Sequence, residues 1–215
     1  MKQLVRVWDL PTLLFHWLLV NGLILMYLTT ITGKMRWHLY IGLFLFGLMI
    51  FRIFWGFLGS QSARFRDFVK GQKEILRYLK GHMSENEQPG HNPVSALMTI
   101  ILMTLVSLQI ISGLLASNLK ARFSGHLVQL IPDSIIPFAQ KAHSVLFWIL
   151  LGFSVVHIVG IVLHGLIKKQ NLFTPMITGY KKIAGATPEL KFAPRGLALV
   201  LSIATVAIVY LLLYV

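Results

Sequence analysis

Five long apolar stretches constrain this chain more than any other feature. They cover about residues 11–31, 37–57, 93–117, 137–167 and 194–215. A bilayer core of about 30 Å is crossed by roughly 20 apolar residues in a helix. Only 13% of the residues are charged and the mean hydropathy is +0.72, so the chain has more apolar surface than a soluble core can bury. The pattern predicts an all-α membrane protein with five spans.

The basic residues between these stretches predict how the chain crosses the membrane. If the N-terminus is cytoplasmic, fifteen of the 20 Lys and Arg residues face the inside. The outside then carries Lys34, Arg36, Lys120, Arg122 and Lys141. By the positive-inside rule we predict a cytoplasmic N-terminus and a C-terminus on the outer side of the membrane. The net charge of +13 is therefore explained by basic loops that set the membrane topology, and nucleic acid is not an expected partner.

Two of the loops have an amphipathic character. In the inner loop, residues 64–80, apolar side chains alternate with basic ones at helical spacing, which predicts a helix lying on the inner leaflet. The alternative is a solvated basic loop. The outer loop, residues 120–140, is expected to rest on the outer membrane face or to meet a periplasmic partner. Residues 185–188 are interpreted as a linker.

The absence of cysteine limits the redox chemistry that the chain can support. It excludes disulfides, iron–sulfur ligation and covalent attachment of haem. Any redox cofactor must be held non-covalently, through His or Met.

Four of the eight histidines fall inside the apolar stretches at paired depths. His143 and His157 are 14 residues apart, which places both on one helix face about 21 Å apart. The predicted topology puts His38 and His143 near the outer face, and His16 and His157 near the inner face. His82 and His126 are interpreted as ordinary loop residues.

Two histidine pairs at opposite faces predict two b-type haems with bis-histidine ligation. The small residues Gly42 and Gly160 would let a macrocycle approach the backbone, although bare helix packing explains them equally. Arg36 on the outer side and Arg6 on the inner side are candidate propionate contacts. The alternative is that these side chains only extend their charged ends to the membrane surface. A proton relay and a metal transporter remain alternatives on this pattern alone.

Six motifs occur in order along about residues 4–182. They are V-R-V-W-D-L-P-T-L-L-F-H-W (5–17), R-W-H-L-Y-I-G (36–42), F-R-I-F-W-G-F-L-G-S (51–60), G-H-N-P-V-S-A-L-M (90–98), H-I-V-G-I-V-L-H (157–164) and N-L-F-T-P-M-I-T-G (171–179). In these motifs the chain resembles the bacterial cytochrome b561 family and the related cytochrome b subunits of nickel–iron hydrogenases.

The resemblance implies a four-helix transmembrane bundle with two b haems, at residues 1–182, in a bacterial inner membrane with the C-terminus periplasmic. Residues 183–215 would form a linker and an additional C-terminal helix. The family's ligand positions match His16, His38, His143 and His157, the set already reached from depth. A quinone site is also implied, with ubiquinone or menaquinone as its ligand. Its candidate contacts are His91, Asn92, His164 and Asn171, and His164 is equally a candidate for a propionate contact or an interfacial residue.

Three functions follow as hypotheses. The first is electron transfer between the quinone pool and a partner redox protein, which is a periplasmic cytochrome, a hydrogenase or a dehydrogenase. The second is a self-sufficient superoxide:ubiquinone oxidoreductase, and the third is a non-redox transporter or scaffold. An electron-transfer subunit is favoured over a stand-alone enzyme. The sequence leaves open the donor, the acceptor, the direction of flow and the oligomeric state, a homo-oligomer included.

Overall fold

The structure is a computed structural model that describes residues 2–82, 90–118, 123–184 and 189–213. Two predictions lie outside the described residues. They are the linker at residues 185–188 and the placement of Lys120 and Arg122 in the outer loop.

Five helices are long and apolar enough to cross a membrane. They are α1 (Leu10–Ile31), α2 (Met35–Leu58), α5 (Pro93–Leu114), α6 (Ile136–Lys168) and α8 (Arg195–Leu213). Each lies within about three residues of its predicted bounds, because long apolar runs leave little choice of boundary. The predicted fold class, an all-α membrane protein with a fifth C-terminal helix, is confirmed. Helix α6 has 33 residues, about 50 Å of helix, which exceeds the bilayer core.

The chain divides into two compact units. One comprises residues 1–15, 52–101 and 156–202, and the other residues 16–51, 102–155 and 203–215. Helices α1, α2, α5, α6 and α8 each contribute residues to both units. We describe each unit by itself and refer to them as the Arg52 unit and the His38 unit.

The Arg52 unit contains a two-stranded ribbon that the sequence did not predict. Strand β1 (Lys2–Arg6) pairs antiparallel with β4 (Tyr180–Ala184), with Lys2 opposite Ala184. Val7, Trp8 and Ile183 are buried beneath it. Asp9 caps α1, since its Oδ1 accepts a hydrogen bond from the Thr12 amide at 2.8 Å. The ribbon therefore ties the residues just before α1 to the segment that follows α6.

The inner loop of the same unit differs from its prediction as a single helix. It forms α3 (Phe65–Phe68) and α4 (Gln72–Leu79), separated because Val69 is extended at φ −72° and ψ 119°. Helix α4 has no buried residue, whereas Phe68 is buried. Only α4 keeps the predicted amphipathic character, and its contact with lipid stays a prediction. The short helix α7 (Phe173–Thr178) ends at Gly179, whose φ of 81° suits glycine.

The His38 unit contains the connections at the other ends of the long helices. Between α1 and α2 the chain makes a tight turn at Gly33, whose φ is 67°. Strands β2 (Ser117–Asn118) and β3 (Phe123–Ser124) pair after α5, and a 3₁₀ turn follows at Val128–Leu130. These short connections hold the ends of α1, α2, α5 and α6 that carry the candidate site.

Candidate haem-binding site

His38 lies in the first turn of α2, and its ring is oriented by the end of α1. Its Nδ1 lies 3.2 Å from the Met26 carbonyl oxygen, 3.2 Å from Thr29 Oγ1 and 3.1 Å from Thr30 Oγ1. Both hydroxyls donate to the Met26 carbonyl, at 2.8 and 2.9 Å, so their oxygens are left to accept. Because a carbonyl can only accept, Nδ1 carries the proton. The Nε2 atom is therefore unprotonated in the neutral ring, as a metal ligand requires.

His143, in the second turn of α6, is held by the same kind of arrangement. Its Nδ1 donates to the Gln109 carbonyl at 2.9 Å and lies 3.3 Å from Ser112 Oγ. The Ser112 hydroxyl donates to that same carbonyl at 3.0 Å. The side-chain amide nitrogen of Gln109 lies 3.4 Å from His143 Nε2, which is a long contact for a hydrogen bond. Both histidines thus use Nδ1 for the protein and leave Nε2 available.

The two rings lie at the spacing that an iron between them needs. Their centres are 6.3 Å apart and their planes are at 85°. An imidazole nitrogen binds a first-row metal at about 2 Å and lies about 1 Å from its own ring centre, so two axial imidazoles have centres about 6 Å apart. The spacing of His38 and His143 therefore fits the bis-histidine ligation of one b haem.

Gly113 on α5 provides the space that the His143 ring occupies. A Cβ atom at this position would lie 2.7 Å from Cε1 and 3.0 Å from Nδ1 of His143. Real Cβ atoms essentially never approach other atoms to 2.7 Å. Any larger residue at position 113 would have to displace the ring from its hydrogen bond to Gln109.

The structure gives fewer contacts for the predicted inner pair, His16 and His157. His16, on α1, packs edge-on against Trp17 with ring centres 5.1 Å apart, and belongs to the His38 unit. His157, on α6, is half-buried and belongs to the Arg52 unit. The pairing of these two residues stays a prediction from the sequence.

The predicted propionate contacts have different surroundings. Arg36 is exposed, two residues before His38. Arg6 is already engaged, because its Nε donates to the Trp8 carbonyl at 3.4 Å and its guanidinium lies 4.3 Å from the centre of the Phe192 ring. Neither assignment is tested by this geometry, and both remain predictions.

His91 lies just before α5 in an aromatic pocket of the Arg52 unit. Its ring stacks on Phe68 at 4.4 Å and meets Trp8 edge-on at 4.6 Å. Burial, and secondarily the charge of Arg52, lowers the pKa of His91 to about 3, with the Ser62 backbone acting in the opposite direction. Its Nδ1 is buried and has no hydrogen-bond partner among the described residues. A neutral imidazole in this pocket suits recognition of an uncharged group better than proton release near neutral pH.

The other candidate quinone contacts all have local partners. Asn92 caps α5, with its Oδ1 accepting from the Ser95 amide at 2.8 Å. Asn171 accepts from the Thr174 amide at 2.8 Å in the same way. His164 Nε2 lies 2.7 Å from Gln170 Oε1. These contacts account for one polar atom of each residue, and the quinone assignments remain predictions.

The sequence did not reveal the groups that orient the outer pair. Thr29, Thr30, Ser112 and Gly113 are ordinary residues of apolar helices, and nothing in their spacing marks a role. His126 was also predicted to be an ordinary loop residue. In the structure its Nδ1 is buried, with no partner in the described part of the chain, and the residue lines a small apolar cavity beside Leu43, Phe46, Leu114, Leu127, Val209 and Leu212.

Comparisons with known proteins point to the same family as the sequence motifs. Residues 7–179 match the family model described as prokaryotic cytochrome b561. A similar curated protein, from Rhizobium leguminosarum bv. viciae, bears the description "Probable Ni/Fe-hydrogenase B-type cytochrome subunit". It is 26% identical over 212 residues, covering 83% of this chain and 89% of the relative. No solved structure matches the chain significantly.

Proposed function

Because the chain belongs to the prokaryotic cytochrome b561 family, as a b-type membrane cytochrome in electron transfer, we propose that it carries electrons between membrane quinone and a partner redox protein through two haems. The observation that supports this most directly is the His38–His143 pair, with ring centres 6.3 Å apart and both Nδ1 atoms turned to the protein. We assign the second haem to His16 and His157. For the orientation of the chain we keep the inner membrane with a cytoplasmic N-terminus.

Each residue of the outer site has a distinct task in this proposal. His38 and His143 hold the iron through Nε2. The hydroxyls of Thr30 and Ser112 and the two helix carbonyls accept from Nδ1, which fixes each ring's orientation and makes the imidazole a more basic ligand. When bound, the haem supplies reversible one-electron exchange at its iron. The surrounding apolar helices keep bulk water from the iron and so influence its potential.

The partner is proposed from the nature of the relative. That protein is described as a hydrogenase cytochrome subunit, so a hydrogenase or another dehydrogenase is the first candidate donor for this chain. Quinone is the proposed acceptor, with His91, Asn92 and His164 as its contacts. A redox partner that co-purifies with the chain would support this choice. Rapid haem reduction by superoxide, without any partner, would support the superoxide:ubiquinone alternative instead.

The test is the haem content of the purified protein and of single-histidine variants. We expect a reduced b-type spectrum and about two haems per chain, falling to about one in His143→Ala and in His38→Ala. His82→Ala is the matched control, because His82 is exposed and outside the long helices. A protein without a Soret band would refute the haem assignment and revive the transporter hypothesis. Unchanged haem content in His143→Ala would refute the pairing.

A further inference from the structure

A buried arginine of the Arg52 unit has a guanidinium nitrogen without a hydrogen-bond partner in the described part of the chain. Arg52, on α2, is only 2% exposed. Its guanidinium lies 5.7 Å from the centre of the Phe15 ring and 5.2 Å from that of Phe65. Its Nη1 is fully buried and has no hydrogen-bond partner among the described residues. Aromatic faces attract a cation, but they do not replace the hydrogen bonds that a buried guanidinium loses on leaving water.

Asp9 is the nearby carboxylate, and each of its oxygens already accepts one hydrogen bond. Its side chain is buried, Oδ1 accepts from the Thr12 amide at 2.8 Å, and Oδ2 accepts from Trp55 Nε1 at 3.1 Å. The charge of Asp9 acts on Arg52, but the ion pairs within 4 Å in the described part of the chain are Arg64–Asp67, Arg66–Asp67 and Arg77–Glu74. Asp9 therefore offsets the charge of Arg52 at a distance, and Arg52 Nη1 is left without a hydrogen-bond partner in the described ranges of the chain.

Two further buried polar atoms of the same unit have no hydrogen-bond partner among the residues that the structure describes. They are His91 Nδ1 and the buried hydroxyl of Ser62. The charge of Arg52 acts on His91, and a backbone hydrogen bond links His91 to Ser62. A buried polar atom without a partner is unusual in a native protein, and these two together with Arg52 Nη1 indicate a group that is bound there. The chemistry that fits a guanidinium with free donors is an anionic oxygen pair, a carboxylate above all.

We propose that Arg52 binds a propionate carboxylate of the inner haem, with the buried hydroxyl of Ser62 as a neighbouring donor. This inference rests on the proposed function. It replaces Arg6 as the inner propionate contact, because Arg6 already bonds to the Trp8 carbonyl and stacks on Phe192. The inner haem is defined here as the one lost in His157→Ala. Arg52 lies in the same unit as His157, and its burial makes its interaction with a propionate strong and poorly screened.

The test is a redox titration of the di-haem protein with Arg52→Gln, Arg52→Lys and Asp9→Asn variants. A cation near a haem disfavours the ferric state, which carries one more positive charge. Arg52→Gln is therefore expected to lower the midpoint potential of the inner haem, by 59 mV for each tenfold change in the one-electron equilibrium. The outer haem keeps its potential. Asp9→Asn removes a negative charge and shifts the inner haem upward, and Arg52→Lys, which keeps the charge, shifts it less than Arg52→Gln.

A second readout separates the propionate from the other partners that Arg52 might have. The propionate-bending mode of the haem in the resonance Raman spectrum is expected to shift in Arg52→Gln and to stay unchanged in Asp9→Asn. Arg64→Gln is the matched control, since Arg64 lies in the same unit but already pairs with Asp67.

Three results would overturn the inference. The first is an inner haem whose potential and propionate mode are unchanged in both Arg52 variants. The second is a Raman shift of equal size in Asp9→Asn, which would make Asp9 the true partner of Arg52. The third is an unchanged haem with weakened binding of a quinone-site inhibitor, which would assign the cluster to quinone. A protein that lacks haem altogether refutes the proposed function instead, so the two failures are distinguishable.

Discussion

The contact between Gly113 and the His143 ring makes a single methyl group a sharp test of the outer haem site. In Gly113→Ala the new Cβ would lie 2.7 Å from Cε1 and 3.0 Å from Nδ1 of His143. Carbon atoms in favourable contact are about 3.5–4.0 Å apart, so the ring must move by roughly 1 Å. A displacement of that size away from α5 breaks the 2.9 Å hydrogen bond from Nδ1 to the Gln109 carbonyl.

The size of the effect follows from these distances. Overpacking a well-packed site costs about 1–3 kcal/mol. An iron–imidazole bond cannot stretch to absorb a 1 Å shift, so most of that energy appears as weaker haem binding at this site. At 1.4 kcal/mol for each factor of ten, the affinity falls by roughly 5- to 150-fold. The helix itself tolerates the change, because alanine has a higher helix propensity than glycine.

The assay is haem per chain by pyridine haemochrome, with the spin state of each haem followed by electron paramagnetic resonance. We expect the outer haem to be lost or to become high-spin, while the haem assigned to His16 and His157 is retained. Gly152→Ala is the control. It lies on α6 nine residues from His143, on the opposite face, and a Cβ added there has no atom within 4 Å.

One result would refute this reasoning. If Gly113→Ala retains two low-spin haems with unchanged potentials, the His143 ring is not fixed against α5 as the structure has it. The assignment of Gln109 and Ser112 as its orienting groups would then be wrong as well.

Three further predictions concern other parts of the two units. A Cβ added at Gly160 meets no protein atom within 4 Å, so we expect Gly160→Leu to fold. If the edge of the macrocycle occupies that space, the variant loses haem, which is measured as haem per chain. The pKa of His91 is lowered to about 3, so between pH 6.5 and 3 the unfolded chain binds a proton that the folded chain does not. The unfolding free energy should therefore decrease, by at most about 5 kcal/mol, as the pH is lowered from 6.5 to 3. In detergent unfolding experiments, His91→Asn should make the unfolding free energy less dependent on pH. An unchanged slope would contradict the burial of the ring. The double variant Thr29→Val, Thr30→Val keeps the hydrogen bond from His38 to the Met26 carbonyl, so we expect two haems per chain but a shifted midpoint potential of the outer haem. An unchanged potential would mean that the two hydroxyls do not influence the ligand.

The long helices and the proximity of His38 and His143 were readable from the sequence for the same reason. Lipid imposes a minimum length on each apolar run, and it makes every intramembrane histidine costly enough to need a purpose. His38 and His143 could be paired from depth alone, and their rings do lie together. The pairing of β1 with β4 was not readable, because each strand has only five residues and its partner is nearly 180 positions away. No local sequence pattern predicts a strand pairing over so long a separation.

The orienting groups were hidden for a different reason. Ser112 and Thr30 matter through rotamers that turn each hydroxyl to a carbonyl three or four residues earlier, and a serine or threonine anywhere in an apolar helix can do this. Arg52 was counted among the inner basic residues, since charge counting does not distinguish a side chain that reaches water from one that is 2% exposed. Burial is a property of packing, and packing was the part that the sequence could not show.

The two halves of the outer site are built on different scales of sequence separation. His38 is held by residues eight to twelve positions earlier, across the turn at Gly33, where the Lys34 amide donates to the Thr29 carbonyl at 2.9 Å. This half-site needs only α1, a turn that favours glycine at φ 67° and the start of α2. His143 is held across α5 and α6, from residues more than 30 positions away, with Gly113 setting how closely the ring approaches. An iron bound to both histidines therefore joins a locally formed turn to a long-range helix contact, and we expect haem binding to stabilise α6 against α5 more than it stabilises the turn.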